Sequence, residues 1–442
     1  MQARRLIEQL VDTTRAVEQR KLGVAMKMNE VVVSHEFFGP ALGGREGGIT
    51  RYYSGVPFSR TTISCVAAAI LACILSPCAA EGAVTFPLEA KWSAVIPAPP
   101  AYPPAFDATR AYIPLQTNQL VALLIKDGST SWSVECPMSA PPAAGGGFVY
   151  AGSDGLVEAR AEADGRAAWR RPVPGRVISL YWDAGWLFAQ TEPGAFVSIR
   201  ATDGEILWQK DFGSPLSAPP APAGERVYLP LKDGRVVALA LQSGQEIWTH
   251  KLTESAAGIL PVGDRVFIGG RDNQFHSLSA SDADADWDWR TGADLLGLPV
   301  LDAKRVYFIA LDNILRGHNR NNGSMMWKQV LPVRPFTGPL LSGETLIVSG
   351  VAAALFGYST HDGKLVGKFA LMGAENEEML LAAPPHLTAQ DLLILVTKGG
   401  QVRAIGSSTA PAAAPESPPP ADAPPPAATD PASPETTAPA VP

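Results

Sequence analysis

A tryptophan returns along this chain at a nearly fixed interval, and that period limits the fold more than any other feature. It stands at Trp132, Trp169, Trp208, Trp248, Trp289 and Trp327, at spacings of 37 to 41 residues. A turn precedes most of them, at Asp127-Gly128, Asp164-Gly165, Asp203-Gly204, Ser243-Gly244 and Asn322-Gly323. Glycine there tolerates the positive φ that a tight turn between strands demands. At Asp362-Gly363 the turn persists while Gly367 takes the tryptophan's place. The clearest unit is 229–248, which reads strand, turn, strand, turn, strand and closes on Trp248, with Val237 and Leu239 alternating against smaller residues.

The second strand of the unit recurs eight times, at 110–115, 148–152, 186–190, 226–230, 265–269, 305–309, 345–349 and 392–396. The eighth copy has no closing strand before composition turns to Pro and Ala after Gly406. Trp92, 40 residues before Trp132, has a closing strand with nothing ahead of it. Four strands per forty or so residues is the pattern of a propeller blade. The chain is therefore expected to be all-β: an eight-bladed β-propeller of four-stranded antiparallel blades over 88–406. Its N-terminal strand closes the ring and removes open sheet edges. Its repeat tryptophans are Trp92, Trp132, Trp169, Trp208, Trp248, Trp289 and Trp327, and it is expected to be monomeric.

The rest of the chain reads differently. Residues 1–57 lack a firm period and form an unassigned extension, consistent with a start codon placed too far upstream. Residues 58–80 carry an apolar run from Ile63 to Leu75 followed by small residues, the pattern of a secretory signal peptide and too short for a membrane span. Cys78 ends a Leu-Ser-Pro-Cys sequence that approximates a lipobox except at Pro77, so lipidation at Cys78 and cleavage after Ala80 stand as alternatives. Residues 407–442 hold 12 Pro, four acidic residues and no basic one. That composition cannot bury enough apolar surface to offset ordering, and a disordered spacer is expected. Outside the export segment Cys136 is the lone cysteine, which excludes a disulfide within the ring. A net charge of −7 without a basic cluster gives no footprint for nucleic acid.

The Asp-Gly-x-x-x-Trp turn and strand, with Gly-x-Val-x-Ala-Leu upstream, resembles the repeat of pyrroloquinoline-quinone-type propellers. Asp233–Leu239, Asp203–Trp208 and Asp127–Trp132 are its best copies. The residues after the tryptophans (Ser133, Arg170, Gln209, Thr249, Arg290, Lys328) do not supply the Trp-Asp of WD40 repeats. Within the quinoprotein-like group the chain resembles the BamB class of outer-membrane assembly lipoproteins. That resemblance implies a non-enzymatic, exported scaffold at the periplasmic face of the outer membrane. It also implies a protein partner such as BamA, and no cofactor. The alternative is a quinone- and calcium-dependent dehydrogenase, a class whose resemblance would imply adjacent cysteines and long insertions; the chain has neither.

The sequence offers few groups for chemistry. Asp282, Asp284 and Asp286 alternate and form a calcium candidate. The position-six Gly and position-twelve Glu of an EF-hand loop are replaced by Trp287 and Ala293. The histidines show no metal-binding spacing, and no nucleophile elbow or phosphate loop is present. Gly145-Gly146-Gly147 precedes a strand and reads as a turn. Trp182 lies outside the repeat register, near a turn, as a candidate partner contact or a ring folded over the adjacent blade.

Overall fold

The computed structural model describes residues 83–408, apart from 193, 352 and 373–377. The 1–57 extension, the 58–80 export segment with Cys78, and the Pro-rich tail beyond 408 lie outside the described residues.

Every regular element among the described residues is a strand. Chain order begins with β1 (Leu88–Val95). A sheet of β2 (Ala105–Phe106), β3 (Arg110–Pro114), β4 (Gln119–Leu124) and β5 (Thr130–Glu135) follows. Next come β6 (Ala143–Gly145), β7 (Phe148–Ala161), β8 (Ala167–Asp183), β9 (Trp186–Thr191), β10 (Ala195–Arg200) and β11 (Ile206–Asp211), joined in one sheet of six. Three four-stranded sheets succeed it. The first holds β12 (Ala221–Ala223), β13 (Arg226–Pro230), β14 (Arg235–Ala240) and β15 (Glu246–Lys251). The second holds β16 (Ala256–Val262), β17 (Arg265–Gly270), β18 (Gln274–Ser279) and β19 (Ala285–Arg290). The third holds β20 (Leu295–Leu301), β21 (Arg305–Ala310), β22 (Ile314–Asn319) and β23 (Met325–Val330). Then come β24 (Leu340–Ser342), β25 (Thr345–Ser349), β26 (Ala354–Ser359) and β27 (Leu365–Ala370). The last sheet contains β28 (His386–Leu387), β29 (Leu393–Val396) and β30 (Gln401–Ser407), and β1 pairs antiparallel with β30 from Leu88↔Ser407 to Val95↔Gln401.

The architecture is an all-β propeller of antiparallel sheets. The strands do not divide into eight separate four-stranded sheets, as expected from the repeat count. They divide into seven, six of them four-stranded and one six-stranded. The difference is local. β7 has 14 residues and β8 has 17, where neighbouring strands have about six. Each runs through a glycine at positive φ, Gly155 in β7 and Gly175 in β8, where the pairing shifts register and then resumes at Asp154↔Arg176. β8 thus pairs with β7 through its first half and with β9 through its second.

Packing explains the two kinds of strand. The second strand of each sheet is buried on both faces, as in β13, where Val227, Tyr228, Leu229 and Pro230 are all buried. That follows from sheets stacking on either side of it. Outer strands such as β5 alternate, with Trp132 buried and its neighbours exposed. The core lies between sheets: Tyr228, Val236, Ala238 and Trp248 pack against Ile259, Val266, Ile268 and Leu278 of the next. Ile113 and Val121 pack likewise against Ile394, Val396 and Val402.

The tryptophans join one repeat to the next. Nε1 of Trp92, Trp132, Trp169, Trp208, Trp248, Trp287 and Trp327 donates to the carbonyls of Ile125, Glu162, Ala201, Leu241, Ala280, Arg320 and Thr360, at 2.8–3.4 Å. Each acceptor precedes its turn glycine by three residues, or Ala283 in one case, and each glycine lies under the indole. A Cβ at Gly244 would stand 2.7 Å from Cδ2 of Trp208. The sixth member of this series is Trp287, which corrects the assignment of Trp289. Trp289 instead meets the edge of His318, with ring centroids 4.6 Å apart. A small residue faces each indole across the ladder: Ala122 for Trp132, Ala238 for Trp248, Ser277 for Trp287. Phe275, opposite Trp289, leaves no such room.

Candidate functional site

Two faces of loops bound the propeller. One carries the third-to-fourth-strand turns and the first-to-second-strand hairpins, tied by bonds such as Leu241 N–H to Glu225 O and Ala280 N–H to Asp264 O. The other carries the connections between sheets and the second-to-third-strand hairpins, tied by bonds such as Leu252 N–H to Gly234 O and Leu331 N–H to Asn313 O. We call these the turn face and the connector face.

The turn face holds a cleft of about 730 Å³ between the β12–β15 and β16–β19 sheets. Arg226, Arg265, Tyr228, Asp264, Asp284 and Asp286 line it. Three of its charged side chains, Arg226, Arg265 and Asp286, are engaged within the protein. Arg265 pairs with Asp286 at 2.9 Å and donates to Arg320 O at 2.7 Å. Arg226 donates to Ala280 O, the carbonyl that also accepts from Trp248. These arginines therefore finish the same inter-repeat joint as the indoles.

The calcium candidates do not converge. The Asp282 carboxylate accepts from Asp284 N–H and closes its own turn, and the hydrogen bonds of that turn hold its pKa below the usual carboxylate range. Asp286 lies in β19, on Arg265, and lines the cleft together with Asp284. Among the described residues no group of three His, Cys, Asp or Glu side chains is arranged to hold a metal. Ala283 occupies the turn slot that glycine holds elsewhere, at φ 64°.

The remaining singular groups are packed inside. Trp182 is half-buried against Tyr150 and Val177 in the core, its ring packed over Gly145 and Gly146 at the β6 end of the same sheet. Cys136 is buried, and burial pushes its thiol up, away from reactivity. His318 is fully buried, its Nδ1 2.9 Å from Gly323 O, with its pKa pushed down to about 4 by burial. His386 stacks on Phe106 at 3.9 Å between centroids, and burial lowers its pKa to about 4 as well. Both are neutral near pH 7 and sit in packed surroundings. No nucleophile–base pair is built around either.

What remains is a ring with two loop faces and paired internal charges, and its sequence relatives point one way. A family profile described as "Outer membrane protein assembly factor BamB" matches residues 89–179, 153–259 and 232–414, which together span the propeller. The chain belongs to the BamB family. It is 25% identical to the outer membrane protein assembly factor BamB of Yersinia pestis over 282 residues, covering 59% of this chain and 70% of that protein. BamB of Legionella pneumophila is 24% identical over 207 residues, and the chain spans 52% of its length. BamB of Nitrosomonas eutropha is 33% identical over 116 residues, 25% of this chain and 28% of that protein. Among solved structures, BamB from Moraxella catarrhalis superposes with a TM-score of 0.60 at 16% identity, over 73% of this chain and 98% of that one. Sqt1 of Saccharomyces cerevisiae gives the same TM-score at 10% identity, over 72% of this chain and 99% of that one. At such identities these two likenesses establish the propeller fold alone; the family assignment rests on the profile.

Proposed function

We propose that this chain is a non-enzymatic scaffold in the assembly of outer-membrane β-barrel proteins. It is exported and held at the periplasmic face of the outer membrane, as a monomer, with a barrel-assembly component such as BamA as its partner. The observation that carries this reading is the family match along the whole propeller. The physical case is consistent with it. A ring of packed sheets presents two sets of loops that lose little freedom on binding. Arg226, Arg265 and Asp286 of the turn-face cleft are spent on joining repeats.

We further count eight repeats, taking the six-stranded sheet as two blades fused through β7 and β8, with β1 as the fourth strand of the last blade. Export through 58–80, an anchor at Cys78 or cleavage after Ala80, and a spacer role for 407–442 complete the reading.

Co-purification decides it. Affinity-tagged full chain, expressed in its own host, should bring down BamA after crosslinking, and its depletion should lower the level of outer-membrane barrel proteins. Stoichiometric binding of pyrroloquinoline quinone with calcium, and dye reduction by alcohols or sugars, would overturn the scaffold reading.

A further inference from the structure

Four repeats carry a tyrosine at the same place in the second strand: Tyr112, Tyr150, Tyr228 and Tyr307. Each ring packs on the indole of its own sheet, with centroids 5.7–6.0 Å apart, so the hydroxyls reach the turn face at equivalent points. Three of these hydroxyls have an acceptor. Tyr112 donates to Asp107 Oδ2 at 2.5 Å and Tyr307 to Asp302 Oδ2 at 2.6 Å. Tyr150 donates to Gly145 O and Ala201 O, at 3.2 and 3.3 Å.

Tyr228 differs. Two other repeats place an arginine two residues before this tyrosine, Arg110 and Arg305, and an aspartate five before it, Asp107 and Asp302. Arg226 keeps the arginine, but Ala223 stands where the aspartate should be. Tyr228 is only 2% exposed, yet no acceptor meets its O–H among the described residues. Arg226 lies beside it and can only donate. Arg226 in turn commits Nη1 to Ala280 O and has no carboxylate partner among the described residues. Ala223, Arg226 and Tyr228 all line the turn-face cleft of about 730 Å³. The cleft thus opens where two sister repeats keep a carboxylate. Its size falls within the roughly 300–1,000 Å³ usual for small-ligand sites. A buried donor without an acceptor is costly, and a ligand oxygen at that point would remove the cost.

The rest of the lining limits what can bring that oxygen. Glu225, Asp264 and Asp284 also line the cleft, and none of them is in an ion pair among the described residues. Arg265 and Asp286 neutralise each other. Three unpaired carboxylates repel a simple anion, but they attract one that carries its own cation.

We propose that this cleft binds a ligand bearing both a carboxylate and an amine or guanidine cation. The carboxylate takes the place of the missing aspartate on Tyr228 and Arg226, and the cation lies against Glu225, Asp264 and Asp284. A free basic amino acid and a protein segment with adjacent basic and acidic residues share this chemistry. The site does not depend on the scaffold reading above.

Calorimetry on the full chain at low ionic strength tests it. The probes are L-lysine, L-arginine and the blocked tetrapeptide Gly-Lys-Asp-Gly. Lysinamide, which lacks the carboxylate, and acetate, which lacks the cation, are the controls. At least one probe should bind, and both controls at least about tenfold more weakly. Tighter binding of the amino acids or of the peptide tells the two sources apart. Ala223→Asp returns the chain's own carboxylate and should weaken binding by at least about tenfold without lowering the melting temperature. Tyr228→Phe keeps the ring on Trp248 and should weaken binding by about tenfold. Glu225→Gln with Asp284→Asn should weaken it similarly and flatten its salt dependence. Glu205→Gln, on the same face over another sheet, should change affinity by less than about twofold. No binding by any of the three probes at millimolar concentration overturns the proposal. So do controls that bind as tightly as the probes, or a Tyr228→Phe or Ala223→Asp protein that binds like the parent.

Discussion

The joint between repeats can be measured at Trp208 and Gly244. The Trp208 indole is 9% exposed, donates to Leu241 O at 2.8 Å, and packs on Phe188 and Phe196. Trp208→Ala removes the ring and leaves that carbonyl without its donor, a loss of about 3–5 kcal/mol. Gly244→Ala acts from the other side. At φ +66° a side chain costs about 1–2 kcal/mol. Its Cβ would also meet Cδ2 and Cε3 of Trp208 at 2.7 and 2.8 Å, and such overpacking adds about 1–3 kcal/mol. Ala283 holds the equivalent slot beside Trp248 with that indole's hydrogen bond intact at 3.0 Å, which places Gly244→Ala near the low end, about 2–3 kcal/mol. In the double variant the steric part disappears and the φ cost remains. The two losses should therefore fall short of additivity by about 1–2 kcal/mol. Urea unfolding followed by circular dichroism measures all four corners, provided a single transition with an unchanged m-value is seen. Additivity within about 0.5 kcal/mol would refute the idea that indole and turn form one joint.

Three further outcomes are expected. Trp287→Ala should destabilise by about 3–5 kcal/mol and Trp289→Ala by clearly less, because only the former holds an inter-repeat carbonyl; equal losses in urea midpoint would count against the register described here. Phe86→Ala should cost about 3 kcal/mol, read as a lower urea midpoint, because the ring of Phe86 fills the space over Gly357 and Gly367 where the eighth tryptophan is missing. Acid should also weaken the fold. His318 and His386 have folded pKa values near 4, below the unfolded value of about 6.5. The unfolded state therefore binds more protons in that window. Their contribution is complete above about pH 6.5 and is lost as pH falls towards 4, at up to about 1.4 kcal/mol per pH unit for each group. Thermal melts from pH 7 to 4 on the parent and on His318→Gln check this, and a parent melt that does not move with pH would contradict it.

The period and the turns were legible because each repeat needs the same two things, a glycine turn and an indole above it. Trp289 misled because it also closes an outer strand and sits only two residues from the true slot. The residue ten before each indole is small, as with Ala122, Ala159, Ser198, Ala238, Ser277 and Gly317, but Ser279 stands ten before Trp289 as well, so only the ladder register separates Trp287 from Trp289. The six-stranded sheet was not legible, since it depends on β7 and β8 resuming their pairing beyond the register shift at Gly155 and Gly175. Nor was the packing of Phe86 against residues some 270 positions away in the chain. The turn-face cleft did leave a trace, since Ala223 stands where Asp107 and Asp302 precede the other arginine–tyrosine pairs.

The pairing of β1 with β30 also governs when the molecule can be finished. Thr85 and Ser407 share a hydrogen bond across 322 positions of chain, among the most distant contacts a ring of this kind can make. Contacts of such separation form slowly, because most of the chain must be ordered before they repay the cost of closure. A ribosome completes β1 long before β30 exists, so β1 spends synthesis with an unpaired edge. A growing chain in that condition has no finished barrier to being threaded. It stays an open polymer until β30 emerges to take its place beside β1.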